Sequence, residues 1–262
     1  MGRFDHIASD AIAETGGAAQ AEPPADDRFN SAAYTEQAVT AHSCGDFQEA
    51  LRLYGRALEE DRGHAPAWLG QVRVLLDMQQ SDEAATWLEQ AARVLGEVPG
   101  VLALRSLAAI GIGKLDDARQ WSDRAMRAGP DVADVWLARA AVVYAGGNEA
   151  MARVNLDKAH EREPGGHTAR RCAEVALDMG DLHTADRWLR KARSESPDSA
   201  LVALRLGVYF ERAGDLPQAR HHLRRALRLE PRLTPAQLAL EDLDNRGPFD
   251  RIRSAWRNWS RS

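Results

Sequence analysis

An Ala, a Tyr or Leu four residues later and a second Ala three residues beyond that recur along this chain, with Ser once in the middle place. The sets are Ala50/Tyr54/Ala57, Ala84/Leu88/Ala91, Ala118/Ser122/Ala125, Ala152/Leu156/Ala159, Ala185/Leu189/Ala192 and Ala219/Leu223/Ala226. Each first Ala follows the previous one by 34, 34, 34, 33 and 34 residues. Spacings of three, four and seven put each set on one face of a helix. A period of this size marks a stack of supersecondary units, so the pattern predicts a solenoid and points to binding.

Turn chemistry stands just upstream of the sets: Gly45-Asp46, Gly113, Gly147, Gly180-Asp181 and Gly214-Asp215, each Gly five residues before its Ala. Gly in that place can take the left-handed conformation that ends a helix, and the Asp can cap the next one. Five residues after the last Ala of the final four sets come Pro130, Pro164, Pro197 and Pro231, which stop a helix or start another. Each unit therefore reads helix, tight turn, helix, proline stop.

On these residues the chain resembles the tetratricopeptide repeat family, whose pattern runs W-x2-L-G-x2-Y, then A-x3-F, then P. The first-helix aromatic is Tyr34, Trp68 and Trp136. The Leu-Gly pair is intact as Leu206-Gly207, and the small residue is otherwise Ala38, Ser106, Ala140 or Ala173. Repeat 2 departs most, with Val72 for the small residue, Gln79 for the turn Gly and Gly96 for the Pro; repeat 1 has Arg62 for the Pro. Repeats are placed at 31–64, 65–98, 99–132, 133–165, 166–199 and 200–233. The resemblance implies an all-α, right-handed superhelical solenoid of six helix pairs, elongated, with each unit touching mainly its neighbours.

Three segments are expected: an acidic N-terminal segment over 1–30, the solenoid with a capping helix over 31–244, and a basic amphipathic tail over 245–262. Residues 1–30 carry six acids against Arg3 and Arg28, and 15–30 read as disordered linker. Phe4, Ile7, Ala8, Ala11 and Ile12 could share the face of a short docking helix. Thr234 and Pro235 read as the N-cap and first turn of the capping helix, with Leu238, Leu240 and Leu243 covering the last repeat. In the tail, Phe249, Ile252 and Trp256 share a face and five arginines stand against Asp250.

The net charge of −5 disfavours general nucleic-acid binding. No apolar run reaches membrane-spanning length and no secretory signal is visible, so a cytoplasmic protein is expected. Abundant Ala and Arg with sparse Lys suggest a bacterial source. Cys44 and Cys172 fall in repeats 1 and 5, too far apart along a linear stack for a disulfide. No H-E-x-x-H, paired C-x-x-C, phosphate loop or G-x-S-x-G occurs, and His221-His222 diverge on their helix. No enzyme activity, cofactor or metal site is expected.

The resemblance also implies that repeat positions 2, 5, 9, 12 and 13 of each first helix face a concave groove. The candidate partner-binding residues are then Leu69, Arg73, Leu76, Leu107, Ile110, Leu137, Tyr144, Arg170, Glu174 and Leu204. Positions 5 and 9 hold no Lys-Asn pair, so a clamp for a chaperone's C-terminal carboxylate is not expected. Trp68, Trp87, Trp121, Trp136 and Trp188 read as packing residues. The expected function is a non-catalytic adaptor that takes an apolar or amphipathic protein segment in this groove. Alternatives are a regulatory subunit docked on one enzyme and a self-assembling scaffold. Membrane contact is expected only through the tail, and the acidic and basic ends leave self-association open.

Overall fold

The computed structural model describes residues 30–245, and all regular structure among them is helical. Six helix pairs follow in order: α1 (Ser31–Cys44) and α2 (Phe47–Glu60), α3 (Ala65–Asp77) and α4 (Ser81–Leu95), α5 (Pro99–Gly111) and α6 (Leu115–Ala128), α7 (Ala133–Ala145) and α8 (Glu149–Arg162), α9 (Gly166–Asp178) and α10 (Leu182–Glu195), α11 (Ala200–Ala213) and α12 (Leu216–Leu229). A final helix, α13 (Thr234–Asn245), packs on α12. The first helix of each pair starts where the sequence period places the start of its repeat. The architecture is an all-α helical-repeat solenoid. The expected short helix in 3–14, the linker over 15–29 and the aromatic tail beyond 245 lie outside the described residues.

The recurring sets are what the helices bury. All members from Ala50 to Ala226 are within 2% of fully buried where they are apolar, and Ser122 is buried with them. Small residues at two of three places let the paired helices approach closely, as ridge-into-groove packing requires. The turn glycines adopt the left-handed region as expected, with φ of +92° at Gly45, +77° at Gly113, +85° at Gly147, +72° at Gly180 and +86° at Gly214. Asp46, Asp181 and Asp215 each accept a hydrogen bond from a backbone N–H three residues on, capping α2, α10 and α12. Asn148 does the same for α8 through Met151 N–H, a cap the sequence reading passed over.

The tryptophans pack as expected. Trp68 and Trp136 are buried, and each donates its indole N–H to the carbonyl six residues earlier, Arg62 or Pro130. That bond ties each first helix to the loop before it. Trp188 is buried, Trp87 tilts against Trp68, and Trp121 is flanked by Arg105 and Arg124 at 4.7 Å.

Two expectations fail. The stack is not a linear array in which units touch only their neighbours, because repeat 1 meets repeat 6. Ser199 Oγ donates to the Ser43 carbonyl at 3.1 Å. A Cβ at Gly45 would stand 3.2 Å from Leu233 Cδ1 and 3.5 Å from Leu201 Cδ2. One apolar core runs through this seam, joining Ala38 and Phe47 to Leu201, Leu204, Leu233 and Ala236. Five successive repeat-to-repeat rotations have curled the solenoid into a closed turn. Repeats 1 and 5 therefore face each other, yet Cys44 is exposed, Cys172 is buried and both thiols are free. Thr234 also departs from expectation. It is the first helical residue of α13, and its hydroxyl reaches the Arg232 carbonyl at 3.5 Å. Leu243 and the unforeseen Leu233 seal the cap, while Leu238 stays 60% exposed.

Candidate functional site

The first helices of successive repeats pack against one another, and their charged residues meet between them. Asp77, at the C-terminal end of α3, accepts from Arg170 Nη2 of α9 at 2.9 Å and from His42 Nε2 of α1 at 2.8 Å. Arg170 also donates to Glu174 Oε1 at 2.6 Å, one helical turn on, and Glu174 pairs with Arg205 of α11. A second centre is Asp134 of α7. Its Oδ2 takes Arg73 of α3 at 2.5 Å, and Arg171 of α9 lies 2.5 Å from its Oδ1. Repeats 1, 2, 4, 5 and 6 are thus joined through side chains that the chain places up to 93 residues apart.

Burial sets the electrostatics of this lattice. Desolvation alone would raise Asp77, but Arg170 and the hydrogen bond from His42 hold it well below the usual carboxylate range. At Asp134 burial is likewise opposed and outweighed by Arg171 and Arg73. His167, at the start of α9, packs edge-on to His42 at 5.9 Å between ring centroids. Burial, then Arg170 and Arg171, push it well below an ordinary histidine, so it stays neutral there. Burial pushes the Tyr54 phenol and the Cys172 thiol each to about 12. The lattice pairs each buried carboxylate with arginine, an arrangement that fixes helices relative to one another. Among the described residues no group of three His, Cys, Asp or Glu side chains is placed to hold a metal ion. Nor is any described helix long and apolar enough to cross a membrane.

The ten candidate groove residues divide three ways. Arg73, Arg170 and Glu174 belong to the charge lattice. Leu137 and Leu204 are each 1% exposed, Leu137 in the core of repeats 4–6 and Leu204 in the seam core. Leu69, Leu76, Leu107, Ile110 and Tyr144 are partly exposed, on consecutive repeats 2, 3 and 4. Leu69 lies over the start of α5, where a Cβ on Gly100 would stand 2.8 Å from its Cδ1. Tyr144 donates its hydroxyl to the Met179 carbonyl of the next repeat. Asp134, Arg171 and Arg205 were missed. The available signal was Asp134 in the first turn of α7, the one acid in a helix whose only other charge is Arg139.

At the seam a cleft of about 280 Å³ opens between Ser43 and Cys44 on one side and Gly166, His167, Ser196 and Ser199 on the other, with Arg170 at its floor.

Residues 42–108 and 173–235 match the tetratricopeptide repeat family. Among curated proteins no sequence matches. Among solved structures, a thermophilic tetratricopeptide-repeat protein of Thermus thermophilus superposes with a TM-score of 0.52 at 22% identity, over 70% of this chain and 98% of that one. A tetratricopeptide repeat protein of Parabacteroides merdae gives 0.52 at 17% identity, over 82% and 84%. The APC/C hetero-tetramer Cut9-Hcn1 gives 0.47 at 14%; this chain covers 42% of that one, less than half its length. These likenesses concern the fold. With six helix pairs in phase, the turn glycines in place and the family matched in both halves, the chain belongs to the tetratricopeptide repeat family.

Proposed function

We propose that this protein is a non-catalytic interaction scaffold that takes an apolar or amphipathic segment of a partner protein along the concave side of repeats 2–4. The observation that carries the reading is the run of partly exposed Leu69, Leu76, Leu107 and Ile110 on consecutive first helices. Apolar side chains aligned on one face and left partly wet gain free energy when a partner's apolar side chains cover them. Each buried carboxylate of the charge lattice beside them already faces arginine, so the lattice acts as a rigid wall. A cytoplasmic site of action is part of this reading.

The test is the double substitution Leu107→Asp with Ile110→Asp, compared with the unaltered chain as bait in quantitative pull-down. Loss of a reproducible partner with an unchanged helical circular dichroism spectrum is the expected outcome. Undiminished capture would move the site away from repeats 2–4.

A further inference from the structure

The outer surface is uneven in charge, although the chain as a whole is acidic. On the second helix of repeat 2, α4, Asp82, Glu83 and Glu89 stand against Arg93, a net −2. On α10, Arg187, Arg190, Lys191 and Arg193 stand against Asp186 and Glu195, a net +2. On α12, Arg220, Arg224, Arg225 and Arg228 stand against no acid, a net +4. The last two outer helices therefore carry +6 on a chain of −5.

The two helices present this charge as one field. Arg225 of α12 donates to the carbonyl of Pro197, just past the end of α10. His222 is pushed down to about 4, by burial first and then by His221, Arg193 and Arg225 together. Lys191, Arg193, Arg224 and Arg228 are exposed, and no ion pair engages them among the described residues. Arg187, Arg190, Arg220 and Arg225 meet Asp157, Asp186, Asp244 and Asp198, which leaves four of the eight cations unpaired. Unpaired charges of one sign attract a segment of the other sign and fix its register weakly, through long-range contacts.

The chain holds such a segment. Residues 1–29 carry Asp5, Asp10, Glu14, Glu22, Asp26 and Asp27 against Arg3 and Arg28, a net −4. They join the solenoid at Asn30, which caps α1 by accepting from Ala33 N–H. Closure of the solenoid puts α1 against α11, so this attachment point belongs to the repeat next to the basic face. Twenty-nine residues span at most roughly 100 Å when extended, more than enough to pass one repeat. Tethering also raises the local concentration of the carboxylates to the order of millimolar. We propose that the acidic segment 1–29 docks in cis on the basic outer face of α10 and α12.

The chain has three lysines, Lys114, Lys158 and Lys191, and only Lys191 lies in the field. A water-soluble carbodiimide joins a carboxylate to a lysine amine in contact with it, so the full-length chain can be probed directly. Amide links from Lys191 to acids of residues 1–29, recovered from the monomer fraction, are expected. They should fall at least about fivefold in about 0.5 M NaCl, where screening shortens to roughly 4 Å. The same loss is expected in an Arg193→Glu, Arg224→Glu, Arg228→Glu chain. Links to Lys114 as frequent as those to Lys191, links found only in a dimer fraction, or no link at Lys191 would each overturn the proposal.

A second measurement does not depend on altering the face. In a full-length chain with the six acids changed to Asn or Gln, a labelled polyglutamate peptide should bind at least about tenfold tighter than to the unaltered chain, by fluorescence anisotropy at low salt. Equal affinity for both chains would refute cis docking. Tighter binding of a single-stranded oligonucleotide than of polyglutamate would assign the face to nucleic acid instead.

Discussion

Repeat 6 keeps the Leu-Gly pair, the turn Gly-Asp and the closing Pro of its family's pattern and repeat 2 has lost all three, yet both end as a well-formed helix pair. In repeat 6, Gly207 lets α12 come so close that a Cβ there would fall 2.7 Å from Leu223. Gly214 turns the chain at φ +86°, and Asp215 caps the helix that follows. In repeat 2, Val72 fills the place of the small residue and is fully buried. Gln79 is forced to φ +62°, and Gln80 offers α4 no side-chain cap. The two helices of repeat 2 accordingly pack less closely than those of repeat 6. What repeat 2 has in exchange is Arg73 and Asp77, its two anchors in repeats 4 and 5. Local packing and long-range ion pairs substitute for each other in this fold.

The sharpest way to break that comparison is Asp77→Ala. It leaves Arg170 buried without its main partner, which costs about 3–5 kcal/mol. Arg212→Ala at the same repeat position of repeat 6, where the side chain is 43% exposed and reaches Asp178 only at 3.7 Å, should cost less than about 1 kcal/mol. Urea denaturation of the two variants checks the ordering. Near-equal midpoints would mean that the lattice holds nothing together. An Asp77→Leu, Arg170→Met chain should recover most of the loss, since an apolar pair avoids the buried unpaired charge.

Acid separates the two repeats by a different route. His222 of repeat 6, stacked on Phe210, stays neutral in the fold down to about pH 4, while the unfolded chain takes a proton near the ordinary 6.5. Its share of stability is therefore complete above pH 6.5 and falls as pH drops toward 4, by up to about 3 kcal/mol. His167 adds to the slope with the same sign. Asp77 and Asp134 are depressed carboxylates, so their share persists above the ordinary 3.8 and is lost only as pH falls below it. His222→Phe should thus flatten the fall in melting temperature between pH 6.5 and 4 and leave the fall below 4 intact.

Two smaller effects sharpen the contrast. Gly207→Ala sets a helix-propensity gain of about 1 kcal/mol against overpacking of about 1–3 kcal/mol on Leu223. A net loss near 1 kcal/mol by thermal denaturation is expected, roughly the difference of those two effects. A stabilised variant would show that repeat 6 is looser than its geometry indicates. Gln79→Gly relieves the only non-glycine residue with positive φ among those described and should stabilise by roughly 0.5–1 kcal/mol. No rise in melting temperature would place the weakness of repeat 2 elsewhere.

The helix pairs, their boundaries and their turns were legible in the sequence because each depends on residues within one period. Gly180, Asp181 and Ala185 act on neighbours a few residues away, so their spacing carries their meaning. The seam and the charge lattice depend on how far five successive repeats rotate, a sum to which every interface contributes and which no single residue displays. Repeat position alone set Arg73, Arg170 and Glu174 on the equivalent face of their first helices. For Arg73 and Arg170, the partners Asp134 and Asp77 lie 61 and 93 residues away and face them only once the stack has curled. Leu204 shows the same limit, since the position that would line an open groove lies inside the seam of a closed one.

Closure also settles how this solenoid can grow and come apart. A linear array of repeats gains or loses a unit at either end at little cost, and frays inward from its last unit. Here the first and last units shield each other through Gly45, Leu201 and Leu233. Duplicating one repeat would push those surfaces past each other, and deleting one would leave them short of contact. Among the described residues, six helix pairs are the number that brings these two surfaces into register, and each of the two outer repeats is held on both sides.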